Sequence, residues 1–286
     1  MILVTGGEGL VGSNIPGDDL IITDIVEGSE VHLDVTDAEE TERILNQYKP
    51  EVVVHCASWI DPDQCEKDPL SCYDVNVVGT MNVSRICREL GAKFVYISTQ
   101  LVFDGKKPIP YREDDQAEPL QQYGLSHFCA EQYARALDNH IILRTSLCHG
   151  HCRNGRRYGF VYWVIDSLKA GKEISVVDTL WTTPTDIIDF GQCIRTLIEK
   201  DARGTYHYAG DKFLSRYEYA VLAAERAGLD SSKIKKIELS ELMTKWVATR
   251  PIYAGLSCDK IKAKYGIEPS DAFAWLEQSV SSSSGR

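Results

Sequence analysis

The chain has 286 residues, 43% of them hydrophobic, with a formal net charge of −11 and nine cysteines. That length buries a sizeable core as one large domain with a smaller lobe. The acidic balance excludes a nucleic-acid binder, which needs a basic face, and no apolar run reaches the ~18 residues of a membrane helix.

Met1 to Thr5 is a short apolar run with β-branched residues, followed at once by glycines. It reads as a buried parallel strand entering a tight loop. Gly6, Gly9 and Gly12 stand three apart. Gly6 suits the sharp turn, Gly9 the approach of backbone to a pyrophosphate, and Gly12 the close packing of a following helix. The N-terminus of that helix offers free N–H groups and a positive dipole end. Pro16 and Gly17 stop the helix after about two turns. Asp19 to Asp24 is the second strand, and Asp24 ends it about 20 residues into the motif, as an acid that binds an adenosine ribose does. The bland alternative is a βα turn with no ligand; the strand–loop–strand context favours a dinucleotide.

Glu30 to Asp34 is a short third strand, Asp37 to Tyr48 a helix with Ile44 and Leu45 inward, and Val52 to Cys56 a buried strand. Pro69 to Leu90 reads as one long helix, Phe94 to Ser98 as a strand, Tyr123 to Leu137 as a helix and Ile141 to Thr145 as a strand. This alternation is α/β: a Rossmann-like doubly wound parallel sheet with right-handed crossovers over residues 1–150. Cys148 to Arg157 is a loop, Phe160 to Ala170 a helix, Ile174 to Val177 a strand, and Ile187 to Lys200 a helix covering the sheet. Tyr206 to Tyr208, the Tyr217 to Ala227 helix and closing helices from Cys258 and Asp271 make a small C-terminal substrate lobe. The lobe spans 151–280 and is interleaved with the last sheet elements, since no linker separates them. Ser281 to Arg286 is a low-complexity tail, expected to be disordered. Met1 opens on a strand without a leader-like apolar stretch, and the cysteines lack a disulfide spacing, so the expected compartment is the reducing cytoplasm.

Ser98-Thr99 ends a strand, where ligands bind in open α/β sheets. Tyr123 and His127 are i,i+4 and share one helix face. A tyrosine beside a hydroxyl and a cation can donate a proton to a carbonyl oxygen as hydride arrives, provided a positive charge lowers its pKa from ~10.

The glycine turn, Leu33-Asp34-Val35-Thr36-Asp37, Val75-Asn76-Val77-Val78-Gly79-Thr80, Ser98-Thr99 with Val102-Phe103-Asp104-Gly105, Pro110-Tyr111-Arg112-Glu113, Tyr123-Gly124-Leu125-Ser126, Arg144-Thr145-Ser146, Pro184-Thr185 and Arg250-Pro251 together resemble the extended short-chain dehydrogenase/reductases. The branch resembled is that of dTDP-4-dehydrorhamnose reductase, which also includes the regulatory β subunit of methionine adenosyltransferase. The resemblance implies a proton donor at Tyr123 and a neighbouring hydroxyl at Thr99. It implies pyrophosphate contacts at Gly9, Leu10 and Val11, adenine contacts at Asp34 and Val35, and ribose and phosphate contacts at Ala57, Ser58 and Trp59. NAD(H) is the preferred cofactor, because the Asp24 charge repels a 2′-phosphate, and NADP(H) is the second.

The chain departs from this pattern around one pocket. The family's lysine, which holds the nicotinamide ribose and lowers the tyrosine pKa, is His127 here. An acid and an aromatic of the substrate pocket are Gln100 and Leu101, and another aromatic is Leu147. Activity rising toward pH 6, as His127 gains a proton, is therefore an expectation. Two readings follow: a reductase of a nucleotide-linked 4-keto sugar, or a cofactor-binding regulatory protein with a decayed site. The substrate is a nucleotide-sugar, with Gln100 and Leu147 in its pocket and Arg153, Arg156 and Arg157 as a seat for its diphosphate; a solvated arginine loop is the alternative. Cys148-His149-Gly150-His151-Cys152 cannot readily close one tetrahedron, so no metal is expected. Trp163, Trp246 and Trp275 are read as packing residues. A homodimer is compatible with the sequence, which is otherwise nearly silent on assembly.

Overall fold

The computed structural model describes residues 1–243 and 246–276. The first half runs β1 (Ile2–Thr5), β2 (Leu20–Asp24), β3 (Val31–His32), α1 (Ala38–Tyr48), β4 (Val52–His55), α2 (Pro62–Lys67), α3 (Pro69–Tyr73), α4 (Gly79–Leu90), β5 (Lys93–Thr99), α5 (Gln122–Arg135) and β6 (His140–Thr145). The second half runs β7 (Cys148–His151), β8 (Arg157–Tyr158), α6 (Phe160–Lys169), β9 (Ile174–Val177), β10 (Trp181–Thr182), β11 (Thr185–Asp186), α7 (Ile187–Glu199), β12 (Gly204–His207), β13 (Leu214–Ser215), α8 (Arg216–Arg226), β14 (Ile234–Ile237), α9 (Leu239–Met243), β15 (Tyr253–Ala254) and α10 (Asp259–Tyr265).

Seven parallel strands in the order β12-β6-β5-β4-β1-β2-β3 make the central sheet. Strands such as Ile2–Thr5 and Val52–His55 are buried along their whole length, as continuous apolar runs in a doubly covered sheet must be. The order reverses between β1 and β4, the switch point where open α/β sheets bind ligands. One face packs on α1, α4 and α5 through Ile44, Leu45, Val83, Ile86 and Ala130. The other packs on α7 through Phe190, Ile194 and Leu197. Among the described residues no helix is long and apolar enough to cross a membrane.

Four expectations change. The helix after the glycine turn is a single 3₁₀ turn, Gly12–Asn14, so little helix dipole forms there. Asn14 Nδ2 instead ties that turn to the His151 carbonyl at 2.7 Å. The long helix expected over Pro69 to Leu90 is α3 and α4 joined by a π-helical turn, Asp74–Val78, which carries Asn76. Cys148 to Arg157 is not a loop: β7 and β8 pair antiparallel, turning at Cys152–Gly155. Gly204–His207 belongs to the central sheet as its edge strand beside β6, not to the lobe. Trp275 packs in the lobe core as expected, whereas Trp163 is 47% exposed. The tail from Ser281 lies outside the described residues.

The lobe core joins α6 and α8 through Val161, Ile165, Tyr219 and Ala223. The segment before α10 returns to the sheet half, where Tyr111 N–H donates to the Gly255 carbonyl at 2.8 Å and Ser257 N–H to that of Tyr111 at 2.7 Å.

One ion pair sits deep in the sheet half. Arg144 on β6 donates from Nε and Nη2 to the two carboxylate oxygens of Glu131 on α5, both at 2.7 Å. Ser98 Oγ adds a third bond to Glu131 at 2.7 Å. Glu131 is fully buried, and these partners hold its carboxyl below the usual range against the opposing push of burial. Glu131→Gln leaves the Arg144 charge buried without a counter-ion, so urea unfolding should show a loss of about 3–5 kcal/mol. A loss below about 1 kcal/mol would mean that the pair is not a structural constraint.

Candidate active site

A cavity of about 520 Å³ opens at the switch point. Its walls bring together Gly6, Gly9, Leu10, Val11, Asp24, Asp34, Val35, Ala57, Ser58, Thr99, Gln100, Tyr123, His127 and Leu147, all singled out from the sequence. Gly12 and Trp59 are not on the wall. Trp59 instead gives its N–H to Asn76 Oδ1 at 2.7 Å.

The glycine turn fits a dinucleotide. Gly6 has φ +64°, and a Cβ there would lie 2.6 Å from the Ala57 nitrogen, so the β1 and β4 ends meet only without a side chain. The N–H groups of Leu10 and Val11 have no acceptor among the described residues. Free backbone N–H groups at a glycine turn are the kind of donor that phosphate oxygens accept from. Asp24 is held at the cavity edge by the Glu8 N–H on Oδ2, at 3.0 Å, and the Val26 N–H on Oδ1, at 3.2 Å.

Tyr123 opens α5 beside the turn after β5. The Leu101 carbonyl occupies the place of a Gly124 Cβ, so the helix start can press onto that turn. Asn76, in the π turn, anchors the same corner: its Nδ2 donates to Ser126 Oγ at 2.9 Å, and Ser126 Oγ donates to the Tyr123 carbonyl at 2.8 Å. Burial raises the Tyr123 pKa above its ordinary value, and the Thr99 hydroxyl acts in the opposite direction. Leu147, on the wall, is one of three non-glycine residues with positive φ among the described residues, at +43°. Strained backbone of this kind is typical of ligand sites.

His127 is 3% exposed. Ser58 Oγ donates to Asn76 Oδ1 at 3.1 Å. With that proton committed, the 3.1 Å contact between Ser58 Oγ and His127 Nε2 requires the imidazole to donate from Nε2. Nδ1 then accepts from the Tyr96 hydroxyl at 2.7 Å. This tautomer follows from counting protons, and it satisfies both ring nitrogens of a neutral imidazole. Burial pushes the His127 pKa down to about 4, with Glu131 pulling the other way. The expectation of protonation near pH 6 is corrected: burial disfavours the charged ring, and no carboxylate among the described residues bonds to it. Tyr96, buried in mid-sheet, fixes the ring and was not singled out from the sequence; an apolar strand reading hides a phenol within it.

The three loop arginines do not line the cavity. Arg157 pairs with Asp166 at 2.8 Å, Arg156 lies over the Tyr158 ring at 4.5 Å, and Arg153 is exposed. His149 is buried against Tyr219 and Trp275, and among the described residues no group of three or more His, Cys, Asp or Glu could hold a metal.

Fold and cavity together define the class, an extended short-chain dehydrogenase/reductase fold. The chain belongs to the family of the RmlD substrate binding domain, whose model matches residues 1–283. It is 30% identical over 275 residues to the spore coat polysaccharide biosynthesis protein SpsK of Bacillus subtilis, covering 94% of this chain and 92% of that one. It is 30% identical over 240 residues to methionine adenosyltransferase 2 subunit beta of Pongo abelii, covering 80% and 70%. Its structure matches that of dTDP-4-dehydrorhamnose reductase from Bacillus anthracis in complex with NADP, with TM-score 0.88, 27% identity and 97% of each chain covered.

A proton titration tests the His127 environment. Its imidazole resonances should stay at their neutral positions from pH 8 to about 5, and an inflection near 6.5 would contradict the buried tautomer. The folded pKa lies below the unfolded one, so this group's contribution to stability is present above about pH 6.5 and is lost as pH falls toward 4.

Proposed function

We propose that the protein is a nicotinamide-dependent reductase of a nucleotide-linked 4-keto sugar. The observation that carries this is one cavity holding the Gly6–Val11 turn, Asp24, Thr99 and Tyr123. The dinucleotide, when bound, supplies hydride to the substrate carbonyl carbon. Tyr123 enters the reaction as a neutral phenol and gives its proton to the carbonyl oxygen. Thr99 orients that oxygen with its hydroxyl. Ser58 and His127 present uncharged polar atoms on the cofactor side. Leu10 and Val11 bind phosphate oxygens, while Asp34 and Val35 flank the adenine. Gln100 and Leu147 shape the sugar pocket. All nine cysteines are free thiols, which supports the cytoplasm as the compartment.

Asp24, fixed by two backbone donors, meets a ribose 2′-hydroxyl with an acceptor and a 2′-phosphate with like charge. Calorimetric titration should therefore show NADH binding about tenfold more tightly than NADPH, a difference of roughly 1.4 kcal/mol. Equal affinities would remove Asp24 from the ribose site.

A screen of nucleotide-4-keto sugars with NADH, followed by absorbance, tests the activity. Tyr123→Phe should lose turnover by a factor of about 100 or more while still binding NADH. His127→Lys should raise turnover at pH 7 about tenfold, because it puts a charge beside a phenol that now has none. Wild-type rates in Tyr123→Phe would rule out this donor. Absence of turnover in every variant, with NADH still bound, would favour the regulatory reading.

A further inference from the structure

Asn14 makes more contacts than a turn residue needs. Its Nδ2 has two hydrogens, and two carbonyls take them: that of Leu10 at 2.8 Å and that of His151 at 2.7 Å. Ser13 Oγ adds a weaker contact with the same nitrogen at 3.3 Å. The two carbonyls fix the orientation of the amide, because its oxygen could bond to neither. Leu10 belongs to the glycine turn and His151 to the β7–β8 hairpin. One side chain therefore joins the two across 137 positions.

Each end of this link reaches the cavity. The Leu10 carbonyl and the Val11 N–H are the two ends of one peptide group, so a donor on the carbonyl makes the N–H a stronger donor. That N–H has no acceptor among the described residues. At the other end, β7 and β8 pair at only two positions, Gly150 with Tyr158 and His151 with Arg157. So short a hairpin depends on what it rests against. Its base is tied to β11 at Cys148 and His149. Its tip meets α6, where Tyr162 Oη lies 3.3 Å from His151 Nδ1, and the glycine turn. The contact with the turn is close: a Cβ at Gly150 would collide with Ile187 at the start of α7 and stand 3.9 Å from Leu10 Cδ1. On the other side α7 presses on the turn, since a Cβ at Gly191 would collide with the Asn14 carbonyl. Cys148, Tyr158 and Gly159 of this unit line the cavity, as Leu147 does. A single helical turn gains little for the residues it fixes, so the place of the turn is set by these neighbours.

We propose that Asn14 is a positioning residue that passes cofactor binding on to the substrate side of the cavity. A phosphate oxygen on the Val11 N–H orders the turn, and Asn14 orders the His151 carbonyl and the hairpin with it. Tyr158 and Gly159 then take fixed places beside the sugar pocket. The ordering cost met by the cofactor is not met again by the second ligand, so the nucleotide sugar binds more tightly to the cofactor-loaded protein. This rests on the reductase reading above and adds a coupling between its two ligands.

The test is hydrogen exchange of the full-length protein, read on peptides covering 148–159 with and without saturating NADH, and titration with dTDP in both states. In the wild type NADH should slow exchange of the hairpin amides about tenfold and tighten dTDP binding about fivefold, the scale of one net hydrogen bond. Asn14→Leu keeps the side-chain volume without the donor. At saturating NADH it should show less than about twofold slowing and no gain for dTDP. Asn14→Gln, which keeps the amide, should recover part of both effects. A role confined to stability would speed exchange without ligand and leave the NADH effect at its wild-type size in Asn14→Leu, which overturns the proposal. A wild type that binds NADH without slowing the hairpin, or that binds dTDP equally well in both states, overturns it too. If NADH does not bind at all, the cofactor reading and the proposal fall together. If NADH slows the hairpin through Asn14 while dTDP binds in neither state, the positioning role stands and the nucleotide reading fails.

Discussion

The Glu131–Arg144 pair is the constraint on which the site depends. It is a bidentate ion pair with no water to screen it, and Ser98 completes it from the strand that ends in Thr99. One buried carboxylate thus locks α5 onto β5 and β6. Tyr123, His127 and Glu131 follow each other at four-residue steps, so fixing Glu131 sets the rotation of the helix and aims the other two at the cavity. Such a pair adds little net stability over an apolar core, but it leaves one register available. In an oxidoreductase site that register matters, because a displacement of about 1 Å between donor and substrate costs much of the rate.

Next to this ionic anchor, the position at which the resemblance implies a lysine holds an uncharged ring, His127. His127 cannot take over that charge, because Tyr96 and Ser58 satisfy it as a neutral ring and burial holds it so. The consequence is a phenol, Tyr123, that stays protonated across the physiological range. Reduction needs that protonated form, so the arrangement is compatible with a reductase, although it forgoes the acidifying charge.

Much of the sheet half was legible in the sequence. Buried strands such as Val52–His55 are continuous apolar runs, and glycines at fixed spacing have few other uses than a close turn. The cavity wall followed from these and from the family motifs, down to Tyr123 and Thr99. What escaped depended on contacts distant in sequence. The helix after Gly12 reduces to one turn because Asn14 finds a partner at His151, across 137 positions. The Cys148–Arg157 stretch looks irregular because a short hairpin needs only two paired residues on each side. Tyr206 and His207 are polar-tipped residues whose place as the sheet edge is set by β6. His127 shows the same limit: i,i+4 spacing places it beside Tyr123, but burial lowers its pKa, and the hydroxyl that holds its ring belongs to Tyr96, thirty-one residues away.

The most direct measurement of this account is the pH profile of turnover with NADH and the best nucleotide-4-keto sugar. With His127 neutral down to about pH 4 and Tyr123 protonated throughout, kcat should be flat from pH 6 to about 9. A rise toward pH 6, or an ionisation between pH 6 and 8 that disappears in His127→Gln, would show a titrating cation beside Tyr123 and contradict the neutral site.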